Sequence, residues 1–263
     1  LPERAWISAS SETNVGLREI WAISPRVIHE VTLGYFGNDN ANEAVTRAVR
    51  IDVLDAFESG GADRFDSRTN RNVIFTNLLW YQGERLTFRT GTEFTRRTAS
   101  SLSESGFLGA FEFSSLDDFL AAGPVAYTVT QGDPFLEVDQ TEAGVFVQTD
   151  WRVNRRFTVF TGLRYETQTN IDDYDNFDPR LGFAYSLGGS TVLRGGVGLF
   201  HQNFNLNLVQ DVMRLDGARQ FDVVVSNPSY PDPFVGGGAT VGPPSSRRVF
   251  APDLAVPYDV RAS

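Results

Sequence analysis

The chain contains no cysteine and no lysine; all 23 of its basic residues are arginine, read here as a compositional bias of the source. Zero cysteine removes disulfides, thiolate nucleophiles and Cys-ligated metals together, and without lysine there is no P-loop. Only two histidines occur, His29 and His201, too far apart for a zinc spacing, and each reads as a packed or interfacial strand residue. Long apolar runs are missing too: no window approaches the ~20 apolar residues of a membrane helix. Any membrane contact must then be made by strands, because only helices and closed barrels satisfy their backbone groups in lipid. Bases are outnumbered, 33 acids against 23, which argues against a nucleic-acid partner. The opening LPERAWISAS carries neither a charged nor an apolar leader region, so a leader has been removed or the chain is a piece of a longer protein.

What is present is a period of two. In RFTVFTGLRYETQT, Phe157, Val159, Leu163 and Tyr165 fall on one parity and Thr158, Gly162, Arg164 and Glu166 on the other, the mark of a strand with one apolar and one polar face. ERLTFRTGTEFT sets Leu86, Phe88 and Phe94 against Arg85, Arg89, Gly91 and Glu93. TEAGVFVQTDWR, PRLGFAYSL and STVLRGGVGLF repeat the pattern, with Phe146 as one bulky exception on a polar face and Arg180 and Arg194 on the charged parity. GLREIWAIS and RVIHEVTLGYF are weaker examples, and NVIFTNLLWYQ is apolar on both parities.

The connections alternate strictly. Tight links at Ser24-Pro25, Gln82-Gly83, Val153-Asn154 and Gly188-Gly189 suit hairpins, while residues 37–70, 99–140 and 203–256 are long and DDYDN at 172–176 is intermediate. In an up-and-down antiparallel sheet this order puts every tight turn at one rim and every long loop at the other. Outer-membrane barrels have that asymmetry, with short periplasmic turns and long extracellular loops, whereas a soluble sandwich has no reason for it. By the same count AVRIDVLDAF is a local extension beyond the membrane, and FEFSSLDDFLAAG lies in a long loop, with Ser114 or Ser115 capping a short helix through Leu120. Trp80, Tyr81 and Trp151, all close to tight turns, read as an aromatic girdle at the periplasmic interface.

Catalytic readings find little support. Asp172, Asp173, Asp175, Asn176 and Asp178 offer oxygens, yet the Gly and terminal Glu of an EF-hand are missing; a solvated acidic loop is the simpler reading and Ca²⁺ stays open. Asp117 and Asp118 complement the dipole of a helix start as well as they would serve a glycosidase. Gly196 and Gly198 are read as close approaches inside a barrel. The chain is expected not to be an enzyme, with no catalytic residues, metal or cofactor.

ISPRVIHEVTLGY, DAFESGGADRFD, SSLDDFLAAGPVAYTVTQGDP, GVFVQTDWRVNRRFTVFTGLRYETQTNIDDYDNFDPRLGFAYSLG, TVLRGGVGLFHQ, RLDGARQFDVVVSNPSYPDPF and APDLAVPY resemble successive stations in the barrel of Oar-like TonB-dependent receptors of acidobacterial outer membranes. The resemblance spans most of residues 20–260, and its core is Q-x-D-W-R-V, G-L-R-Y-E and P-R-L-G-F-A in combination. It implies a barrel of about 22 strands with an N-terminal plug, energised by TonB and importing a bulky ligand. Residues 1–263 are then expected to be an internal, all-β, antiparallel up-and-down segment of roughly nine or ten spanning strands, an open curved sheet without the plug. One edge should lie near Arg4 to Ser10 and the other near the C-terminus. Expected partners are outer-membrane lipid of a Gram-negative cell, the plug and remaining strands, TonB and an unidentified ligand. Lumen-facing Arg89, Glu93, Arg164, Glu166, Arg180 and Arg194 are the candidate ligand contacts. The alternative is a soluble secreted β-sandwich or adhesin-like binding module.

Overall fold

The computed structural model describes residues 2–188, 190–235 and 248–263, and the backbone of 239–241. In chain order the strands begin with β1 (Trp6–Ser24), β2 (Val27–Ala44), β3 (Arg50–Val53), β4 (Phe57–Ser59), β5 (Phe65–Gln82), β6 (Leu86–Ser103), β7 (Ala110–Phe113) and β8 (Ala126–Gly132). They continue as β9 (Phe135–Arg152), β10 (Phe157–Gln168), β11 (Phe177–Gly188), β12 (Thr191–His201), β13 (Gln220–Ser226), β14 (Ala239–Val241) and β15 (Tyr258–Ala262). Helix α1 (Leu116–Leu120) follows β7, and α2 (Leu206–Arg214) follows β12.

Nine strands form one sheet in the order β1-β2-β5-β6-β9-β10-β11-β12-β15, every neighbouring pair antiparallel. The sheet does not close on itself: β1 and β15 are its two edges among the described residues. Its order and edges match the expectation, with β1 running unbroken from Trp6 through the separate-looking GLREIWAIS segment.

Residues paired across an antiparallel ladder share a face, so the register fixes the two faces. Trp151, Val159 and Phe183 stand in one row, and Val147, Leu163 and Pro179 in another. Leu181 faces Thr161 and Val197, and Tyr185 faces Phe157 and Leu193. All of these lie on the apolar face. On the other side Arg164 is opposite Phe146 and Asp178, Arg180 opposite Gly162 and Gly198, and Arg194 opposite Ala184. Phe146 therefore does point to the polar face. Gly91 lies directly opposite it, where a Cβ would come within 2.9 Å of the Phe146 ring, so the glycine makes room for it.

Three of the four tight turns lie wholly within the described residues and sit at one rim. Asn154 shapes one of them by accepting from the N–H groups of Arg156 (2.8 Å) and Phe157 (3.0 Å), and Ser24 Oγ accepts from Arg26 N at another. Gly188 opens the fourth at φ +112°, a conformation favouring glycine, while Gly189 lies outside the described residues. The girdle expectation needs one correction. Trp80 and Tyr81 are adjacent and so face opposite ways: Tyr81 and Trp151 are on the apolar face, whereas Trp80 is on the polar face with the Arg89 guanidinium 4.6 Å above its ring. Trp21, stacked on His29 at 5.1 Å, completes the rim on the apolar side.

The strands are longer than a bilayer requires. β1 has 19 residues and β2, β5, β6 and β9 have 18 each, against the roughly 9–11 of a spanning strand. The excursions expected at 37–70 and 99–140 therefore shrink to the residues between Ala44 and Phe65 and between Ser103 and Phe135. The added strand ends, such as NDNANEA in β2 and FDSRTNRN in β5, are polar on both parities. Backbone pairing continues there while the amphipathic signal stops.

The long excursions build a second sheet of six strands, β14-β13-β8-β7-β3-β4, in which β3 and β7 are parallel. Each excursion contributes two strands. Their buried side chains, Val53, Phe111, Phe113, Tyr127, Val129, Val223 and Val225, form one core, with Phe119 of α1 and Tyr230 packed on it. Phe113 is 0% exposed, its ring 5.2 Å from Phe119 and 5.7 Å from Tyr230. Helix α1 begins at Ser115, whose Oγ accepts from Asp118 N at 3.1 Å, so the second of the two expected caps is the one used. AVRIDVLDAF supplies β3 and the start of β4, a local extension and not a spanning strand.

Candidate functional site on the polar face

The six expected contact residues all lie on the polar face, but the fold brings only some of them together. Glu93, Gly144 and Glu166 occupy one row across β6, β9 and β10. Because Gly144 has no side chain, the Arg164 guanidinium lies over it, Nη2 being 3.3 Å from where a Cβ would stand, and pairs with both Glu93 and Glu166. Arg180 borders the same hollow of about 230 Å³, which Phe146 and Gln148 also line. Arg180 itself is 3.7 Å from Asp178 and lies 4.4 Å over the Phe200 ring, which also packs against Gly198. Arg89 stands apart, 3.4 Å from Asp150. Arg194 is exposed and makes no ion pair among the described residues. Most of these charges are thus tied to neighbours in the sheet.

A larger hollow, about 510 Å³, opens nearer the long-loop rim. Its floor is a row read directly from the register: Phe36 on β2, Asn72 on β5, Arg97 on β6 and Gln140 on β9 are successive partners, with Asn38 and Asn70 paired in the next row. Its roof is the segment Asn203 to Asn207 at the start of α2. Glu142 anchors floor to roof: it takes Arg97 Nε at 2.8 Å, Gln140 Nε2 at 2.9 Å and Asn203 Nδ2 at 3.0 Å.

Helix α2 holds this roof against the polar face. Asn205 caps it by accepting from Asn207 N at 2.8 Å, and Val209, fully buried, packs on Leu136 and Val138. Gln210 Nε2 donates to Ala99 O, and Arg214 reaches Ser101 Oγ at 2.6 Å and Pro134 O at 3.2 Å. The third excursion therefore starts by folding inward over the sheet. None of this hollow was anticipated, although one signal was visible: N-x-N at strand spacing recurs in NDNAN at 38–42, NRN at 70–72 and NFNLN at 203–207.

The acidic link 172–178 is not the solvated loop expected. Asp173 accepts from Val256 N at 2.6 Å, and this bond holds its carboxyl below the usual range. Asp178, 2% exposed, accepts from His201 N and pairs with His201 Nδ1 at 2.7 Å. Where the first excursion meets the second, burial pushes the Asp63 carboxyl up, partly offset by the N–H of Gly106, which both carboxylate oxygens accept. No cluster of metal-ligating side chains occurs among the described residues.

A single-layer antiparallel sheet in sequential order, with an apolar face that none of the described residues covers and a charged face opposite, is the wall of a membrane β-barrel. Tyr35, Phe94, Tyr165 and Phe177 end the apolar band on the side away from Trp21, Tyr81 and Trp151. The chain belongs to the outer membrane beta barrel domain family, whose model matches residues 4–174 and 171–259. It is an outer-membrane barrel protein, and its apolar face meets lipid. The soluble-sandwich reading fails because no second layer of the described residues packs on that face. A comparison with curated proteins found no match.

Proposed function

We propose that this chain forms part of an Oar-like TonB-dependent receptor, a ligand-binding and import protein and not an enzyme. One observation carries the reading: the three long excursions are knitted into a single sheet with its own aromatic core, directly above a polar lumen wall. Loops that served only to join strands would gain nothing from a shared core. A fixed platform at the outer rim can hold a bulky ligand, and the α2 segment folded over the lumen face lies on the route inward. The plug and TonB enter through the sequence resemblance and the remainder of the barrel.

The test is capture of the purified periplasmic domain of TonB by the intact protein in detergent, together with uptake in cells with and without TonB. The reading expects capture and TonB-dependent uptake. A protein that ignores TonB and conducts ions as a passive pore would overturn it.

A further inference from the structure

The hollow beneath residues 203–207 has a composition unlike the charged band below it. Its lining holds Asn38, Asn70, Asn72, Asn203, Asn205 and Asn207 together with Gln140, while Arg97 and Glu142 neutralise one another and the exposed Arg68 adds a cation with no ion pair among the described residues. A primary amide offers an acceptor and two donors side by side, a set that matches vicinal hydroxyls and has little to offer a multiply charged anion.

Several of these amides are unspent. Asn70, Asn72 and Asn207 make no side-chain hydrogen bond among the described residues, and Asn38 has only its oxygen engaged, by Asn40. Gln140 is 1% exposed; its Nε2 is fixed by Glu142 and by Phe204 O at 3.0 Å, yet its Oε1 has no partner. A buried, oriented acceptor without a donor is costly unless something supplies one. Phe36 and Phe204 line the same space and provide apolar faces for C–H groups. The volume falls within the ~300–1,000 Å³ usual for small-molecule sites.

We infer that this hollow is a saccharide-binding site, which takes a hydroxyl-rich unit between the Phe36–Asn72–Gln140 row and the Asn203–Asn207 roof. The inference deepens the receptor reading and rests on it for how the ligand arrives. It would explain why the third excursion folds inward: the roof asparagines become half of the site.

Titration calorimetry of the intact detergent-solubilised protein with cellobiose, maltose, xylobiose and diacetylchitobiose tests it. At least one should bind. Asn70→Leu with Asn72→Leu should weaken that binding by roughly ten-fold or more, the loss of about two hydrogen bonds. The roof variant Asn207→Leu, at an exposed position, should weaken it as well, and heat-modifiable gel mobility checks that each variant is folded. Silence from the whole panel, or binding that neither variant alters, overturns the inference. Capture of TonB without saccharide binding removes this site and leaves the receptor; saccharide binding without TonB capture does the reverse.

Discussion

Leu181 is the most informative single position for the membrane assignment. It is 56% exposed on the apolar face, midway along β11 between Tyr185 and Phe177 at the two margins of the band. Four residues to either side put it ~14 Å along the strand from each margin, at ~3.4 Å per residue. An arginine there can snorkel only part of that distance, so Leu181→Arg should cost about 2–4 kcal/mol, the value for a cation at the bilayer midplane. That corresponds to roughly thirty- to eight-hundred-fold in the folding equilibrium. The control is Thr76→Arg on the polar face, directly opposite Glu93, where a cross-strand charge pair changes stability by less than about 1 kcal/mol. Reversible urea unfolding of the intact protein in lipid vesicles, read by gel mobility and tryptophan emission, compares the two. If Thr76→Arg proved the costlier, the assignment of the faces would be inverted.

Phe113→Ala should cost about 3–5 kcal/mol within the second sheet and leave the nine-stranded sheet intact. Proteolysis should then open residues 45–64 and 104–134 together; cleavage of one excursion alone would show that they do not share a core. The carboxyl of Asp173 is held below its ordinary value of about 3.9, so its contribution is complete above that pH and lost as the pH falls through the lower folded value. Hydrogen exchange of residues 250–257, corrected for intrinsic rate, should lose protection only in that acid range; Asp173→Ala should lose it at neutral pH, and protection that grew on acidification would contradict the sign. Residues 1–263 by themselves should not refold in micelles to a compact, heat-modifiable species, because the unpaired edges of β1 and β15 expose N–H and C=O groups. A fully protected compact form would show that the piece closes unaided.

The main sheet was legible because its lower half carries a strong period of two. Phe157 to Tyr165 and Leu181 to Tyr185 declare a face without help from any neighbour. Where water reaches both faces, as at NDNANEA and FDSRTNRN, parity carries no information, and β2 runs to Ala44 and β5 begins at Phe65, both inside the excursion expected at 37–70. Trp80 misled for a related reason: nearness to a turn says nothing about which face a ring occupies. The second sheet was illegible because its strands are three to seven residues long and come from three distant excursions, so no local window holds a pair such as β3 and β7. The asparagine hollow shares that difficulty, since its floor and roof come from distant parts of the chain, Gln140 and Phe204 being 64 residues apart, and meet through Gln140, Glu142 and α2. The Glu93–Arg164–Glu166 contact depends likewise on a register that puts Gly144 between two carboxylates.

The central claim is that the odd positions of β10 face lipid. The chain has no cysteine, so a cysteine introduced singly at each of residues 157 to 165 can carry a spin label unique within it. Collision rates with oxygen, which partitions into lipid, and with a water-soluble nickel chelate are then measured on the intact protein in bilayers. The account predicts alternation, with oxygen access highest at 157, 159, 161, 163 and 165 and nickel access highest at the even positions. Alternation of the opposite phase, or none, would contradict it.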